Sequence, residues 1–257
     1  MLDAIVFKKP AKRNHSGHCV VGGVLELAKP LSKAYLDDPR IVFIFGSEGT
    51  FGYCGLSQAA TNKLLYFSFY DSDLPPRGQK PDFELITRQV RERHRGWKDP
   101  TLIQCLEQAT VDNLYPVFYL PDLPDWGRDS CVLVGDAAHA MTPATGQGGS
   151  QAFEDAQTLA LLLAGSLERY PQQQAIEKTI RGLFDIRAQH VYQLKAQGLA
   201  MKEPKRPWSV VTKVCVYAFF FVMTKAKYLY SFFGKPVYPA HLWDATEEVK
   251  KYLDRDT

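Results

Sequence analysis

The sequence predicts a mixed α/β (α+β) chain. An antiparallel or mixed sheet comes first, then a strand, a glycine-rich loop and a helix, and then a C-terminal helical region. Two observations carry this. The first seventy residues hold several runs rich in β-branched and aromatic residues, parted by glycine turns. Residues 131–163 run from a short apolar segment, through a loop with four glycines and a proline, into helical spacing. The corresponding divisions are 1–129, 130–200 and 201–257.

In order, the run from Cys19 to Leu27 after His-Ser-Gly-His predicts a strand. Arg40–Ser47, Thr50–Leu56 and Leu64–Tyr70 predict three more. The spacing Gly46, Gly49, Gly52 reads as a hairpin, not a nucleotide loop. Asp71–Pro81 holds three prolines and a glycine and predicts a surface loop. Phe83, Ile86 and Val90 share one helical face within Asp82–Arg95, and Gly96 to Pro100 stops that helix. Thr101–Ala109 predicts a second short helix, Asp112–Pro121 an extended segment, and Pro124–Ser130 a turn holding Trp126. Pro171–Leu199 has a long helical pattern.

The segment that carries chemistry lies between Cys131 and Leu163. Cys131–Val134 predicts a buried strand. Gly135–Gly149 is the loop, and from Ser150 onward Ala152, Phe153, Ala156, Leu159, Ala160 and Leu163 fall on one helical face. The first turn of a helix has amides without internal partners at the positive end of its dipole. Glycines let a ligand approach that backbone closely. Asp136, where the strand ends, is a carboxylate able to accept hydrogen bonds from polyol hydroxyls.

Gly135-Asp136-Ala137-Ala138-His139, Pro143, Gly146-Gln147-Gly148-Gly149-Ser150-Gln151-Ala152 and Glu154-Asp155-Ala156 together resemble the second flavin motif of FAD-dependent aromatic hydroxylases of the p-hydroxybenzoate hydroxylase type. Ser150 stands where many members carry Asn. The resemblance implies FAD as cofactor and NADPH or NADH as co-substrate. It implies oxygen transfer from O₂ to a small aromatic substrate, with the sheet of 1–129 walling the substrate and 130–200 forming the latter part of the FAD-binding domain. It implies flavin contacts from Gly135, Asp136, Pro143, Gly146, Gln147, Gly148, Gly149 and Ser150. Asp136 would bind the ribityl chain, and the amides near Gly146–Gly149 would face the pyrimidine edge of the ring. No side chain is implied as a catalytic nucleophile. His139 is expected to pack or bond to backbone, and Arg187 to act as a structural tie.

The family's opening Gly-x-Gly-x-x-Gly and its second short Asp-Gly motif do not occur in the 257 residues. The expectation is a chain incomplete at its N-terminal side, with the Cys131 strand short of neighbours and its apolar edge exposed. Two other classes of function stay open: a non-catalytic binding or regulatory remnant of the family, and a membrane-associated interaction protein.

Composition narrows the field. Lys plus Arg exceed Asp plus Glu by 31 − 28 = 3, which points to no polyanionic partner and no nucleic acid. The basic cluster Lys8, Lys9, Lys12, Arg13 is short and broken by Pro10. Five scattered cysteines without Cys-x-x-Cys give neither a disulfide framework nor a zinc site, and fit a cytoplasmic setting. His15 and His18 lack further clustered ligands, so no metal is expected. Trp208–Phe233 is apolar but broken by lysines, and is read as a packed helix, with an interfacial membrane anchor as the alternative.

Overall fold

The computed structural model describes residues 12–46, 49–57, 59, 61–74, 80–200, 209–212, 214–218, 221–222 and 243–255. Lys8 and Lys9 lie outside these, as do residues 75–79 of the expected surface loop. The chain divides into two compact units: 15–117 with 203–208, and 1–14 with 118–202 and 209–257.

The first unit is built on a five-stranded sheet. Its strands are β1 (Asn14–Glu26), β2 (Val42–Gly46), β3 (Gly49–Gly55), β4 (Lys63–Asp71) and β5 (Leu114–Tyr119), in the order β2-β3-β4-β1-β5. The ladders β1–β4, β3–β4 and β2–β3 are antiparallel, and Gly46 pairs with Gly49 across the expected hairpin. Along β4 burial alternates: Leu64, Tyr66, Ser68 and Tyr70 point inward, while Lys63, Leu65 and Asp71 are exposed. Period-2 side-chain direction in a sheet covered on one face produces that pattern.

The covering layer is helical. Helix α1 spans Lys33–Asp37, α2 Phe83–Arg93 and α3 Pro100–Gln108. Asp82 caps α2 by accepting from the Leu85 amide at 2.9 Å, and Asp99 caps α3 by accepting from Leu102 at 2.8 Å. Pro100 occupies the first turn of α3, where its missing N–H costs nothing. One cluster joins Phe51, Tyr53, Leu64 and Tyr66 to Leu102 and Cys105; another joins Cys19, Val21 and Tyr70 to Ile86 and Val90. His15 bonds the His18 carbonyl and His18 pairs with Asp71. No cluster of three or more metal-ligand side chains occurs among the described residues.

The second unit carries the loop. A two-residue hairpin, β6 (Gly127–Arg128) with β7 (Cys131–Val132), precedes the short helix α4 (Asp136–His139) and a 3₁₀ turn at Pro143–Thr145. Helices α5 (Gly148–Leu167), α6 (Gln172–Ala200) and α7 (Ala245–Arg255) follow. Their core is Trp126, Leu133, Ala138, Leu162, Leu183, Val191, Val249 and Leu253.

Three expectations about residues 131–163 are corrected. The buried strand at Cys131–Val134 is only two residues long, with Cys131 exposed and Val134 39% exposed. Among the described residues its sole ladder partner is the hairpin strand β6; Leu133 is buried in the core and Val132 packs partly against it. Helix α5 begins at Gly148, two residues before Ser150. Its apolar stripe does not face inward: Phe153 is 81% exposed, and Ala156, Ala160 and Leu163 are exposed too. The buried stripe is Gln151, Asp155, Thr158, Leu162 and Ser166.

The apolar run at 208–233 is described in part. Residues 210–212, 214–218 and 221–222 are helical, and Val210, Val214 and Tyr217 are exposed, in contrast to the expected covering helix. The rest of the run lies outside the described residues. Among the described residues, no helix is long and apolar enough to cross a membrane.

Candidate functional site

The loop folds around Gly135. This residue adopts φ 56° and ψ −137°, close to a region that side chains effectively forbid. A Cβ there would lie 3.1 Å from the Cβ of Ala152, in the first turns of α5. The absence of a side chain lets the strand end pack directly on that helix. The Gly135 carbonyl accepts from the amides of Ala138 and His139 at 3.0 and 2.9 Å, which winds the single turn α4.

Asp136 is the first residue of that turn. It is exposed, and its carboxylate makes no hydrogen bond among the described residues. Gly146 follows the 3₁₀ turn at φ 64°, a left-handed conformation suited to glycine. Its amide closes onto the Pro143 carbonyl at 2.9 Å. Pro143 and Gly146 are exposed, and Gln147 is half-buried at the N-cap of α5 without a side-chain capping bond. Gly148, Gly149 and Ser150 form the first turn, whose amides have no acceptor within the helix. A Cβ at Gly146, Gly148 or Gly149 would meet nothing within 4 Å, so this backbone faces open space.

Behind the turn is a buried polar node, in which the sequence reading assigns Asp155 and Gln151 no role beyond the motif itself. Asp155, on the inward stripe of α5, accepts from the Gly135 amide at 2.9 Å and from His139 Nε2 at 2.6 Å through one oxygen. Its other oxygen accepts from Arg187 Nε at 3.0 Å. Arg187 is fully buried, reaches Gln151 Oε1 at 2.6 Å and Glu154 at 2.7 Å, and lies over the Trp243 ring. Burial pushes the Asp155 carboxyl up, but hydrogen bonds from His139, the Gly135 amide and Arg187 outweigh it and hold it below the ordinary 3.8. His139 therefore bonds to a carboxylate and packs on Trp126 at 5.1 Å, rather than bonding to backbone. Arg187 is the tie expected of it. The signal that could have revealed the node was the helical spacing of Gln151, Asp155 and Thr158 opposite the apolar stripe.

Residues 40–178 match the family model described as FAD binding domain. The chain belongs to the FAD-dependent aromatic-hydroxylase family. FAD is the cofactor of that family. A salicylate hydroxylase of Pseudomonas putida is 39% identical over 84 residues, covering 32% of this chain and 19% of that relative. An FAD-dependent monooxygenase of Beauveria bassiana is 32% identical over 157 residues, covering 59% of this chain and 35% of the relative. Among solved structures, a salicylate hydroxylase substrate complex superposes with a TM-score of 0.63 at 16% identity, covering 97% of this chain and 60% of that one. HpxO of Klebsiella pneumoniae, complexed with FAD and uric acid, gives 0.59 at 20% identity, over 77% and 47%. The fold is thus that of the flavoprotein hydroxylases, and the chain spans between 19% and 60% of the length of these proteins.

Proposed function

We propose that this chain supplies the flavin-ring side of an FAD site in a monooxygenase that hydroxylates a small aromatic substrate with NADPH or NADH and O₂. The observation that carries the reading is the open amide-bearing turn at Gly146–Ser150, with the unpartnered carboxylate of Asp136 at the start of α4. The donor set fits the group. Amides at a helix N-terminus stabilise an acceptor that gains negative charge, as the pyrimidine edge of a flavin does on reduction. Asp136 would accept from ribityl hydroxyls, and Gly135 would keep the backbone close. Gln147, Gly148, Gly149 and Ser150 would line the ring edge, with Pro143 and Gly146 flanking it. Bound FAD would supply hydride acceptance from NAD(P)H and activation of O₂. The aromatic substrate class is supported by the relatives named salicylate hydroxylase. Five free cysteines suit a reducing, cytoplasmic setting.

The test is a titration of the chain with FAD, followed by flavin fluorescence, and then NADPH oxidation with salicylate present. Saturable quenching of the flavin is expected. A chain that takes up no flavin at any accessible concentration contradicts the reading and favours a non-catalytic remnant.

A further inference from the structure

We propose that Asp155 is the positioning residue for the Gly135–Asp136 turn. Its carboxylate fixes the direction in which Asp136 is presented, and rests on the flavin reading only for what that direction serves. Asp136 has no side-chain tie of its own among the described residues, so its aim is set by the backbone before it. That backbone is clamped at both ends of Gly135. The carbonyl is held by α4, and the amide by Asp155 at 2.9 Å. The same carboxylate oxygen holds His139, at the far end of the turn, at 2.6 Å. One buried atom on α5 thus pins both ends of the four-residue helix that begins with Asp136. Glycine adopts the conformation of Gly135 freely along with many others, so the contacts around it, and not its own preference, select this one.

The chemistry of the node yields a test that separates positioning from bulk. Asp155 is acceptor-only and faces donors on both sides: Gly135 and His139 on one oxygen, Arg187 on the other. Asp155→Asn keeps the volume but has one acceptor and one donor end. The charged Arg187 bond is the stronger, so the amide oxygen turns to Arg187 and the NH₂ group is left against the Gly135 amide. In Asp155→Asn/Arg187→Gln, the Gln oxygen can stand where Arg187 Nε stood. The Asn oxygen is then free to turn back to Gly135.

The experiment is amide hydrogen exchange at Gly135 by NMR on the full chain, with flavin titration alongside. Asp155→Asn should speed exchange at Gly135 by about tenfold or more, the loss of roughly one net hydrogen bond, and weaken flavin binding in step. The double variant should return both toward the parent, although it removes a second buried ion. A merely structural role predicts the opposite order, with the double variant worse than the single. Unchanged Gly135 exchange in Asp155→Asn, or no recovery in the double variant, overturns the proposal. If the parent takes up no flavin, the functional reading falls, and the exchange data alone judge the positioning role.

Discussion

Arg187 Nε and Asp155 Oδ1 meet at 3.0 Å with neither side chain exposed. The pair links α5 to α6 through two charges removed from water. Breaking such a pair from one side leaves the other charge buried and uncompensated, which costs about 3–5 kcal/mol. Arg187→Ala should therefore lower the stability of its unit by roughly that amount. Arg187→Lys should recover only part, because a point charge cannot bond Asp155, Gln151 and Glu154 from one planar fork. Denaturant unfolding of the three proteins checks this; an Arg187→Ala midpoint equal to the parent's would refute it.

In the sheet unit, His94 makes stability depend on pH. Its Nε2 lies 2.8 Å from Ser68 Oγ, both side chains are buried, and its ring sits edge-on to Phe51 and Trp97. Burial first, and the charge of Arg93 second, lower its pKa from 6.5 to about 3. The unfolded chain thus binds this proton more readily than the folded one. The contribution is complete above pH 6.5 and is lost as pH falls toward 3, a total of roughly 5 kcal/mol. His94→Gln should flatten that part of the stability–pH curve. A variant curve parallel to the parent's between pH 6.5 and 3 would contradict it.

The sequence disclosed some features and hid others for physical reasons. Strands β1 to β4 were legible because aromatic and β-branched runs stand between glycine turns. Helix α2 was legible from the shared face of Phe83, Ile86 and Val90 and its stop at Gly96–Pro100, and α3 as the short helix after that stop; the caps Asp82 and Asp99 were not read. The turn at Gly135–Ser150 was legible from its glycines and from Asp136. The packing of α5 was not, because periodicity shows that a stripe exists and not which stripe is inside. Here Asp155 and Gln151 are buried by their bonds to Arg187, and Phe153 is left out. Cys131–Val134 reads as a buried strand by composition, but a strand's burial depends on its neighbours, and the accompanying expectation of few neighbours and an exposed apolar edge is the one met.

That inverted stripe gives a further expectation. Phe153 is among the most exposed large apolar side chains of the described residues, so its removal forfeits little burial. Phe153→Ser should change stability by no more than about 0.5 kcal/mol, while reducing binding of a hydrophobic dye and improving solubility. Marked destabilisation would mean that the face is covered in solution.

The most direct check of the flavin account is riboflavin and FAD binding to the chain, compared between the parent and Asp136→Ala by fluorescence titration. Asp136 is exposed and bonds to nothing else described, so the variant should unfold as the parent does. Losing charged acceptor contacts of about 1.5–3 kcal/mol should weaken both ligands about tenfold or more. Both should fall alike, because the contacts assigned to this chain go to the ring and the ribityl group they share. Equal affinity of the parent and Asp136→Ala for both ligands would contradict the account.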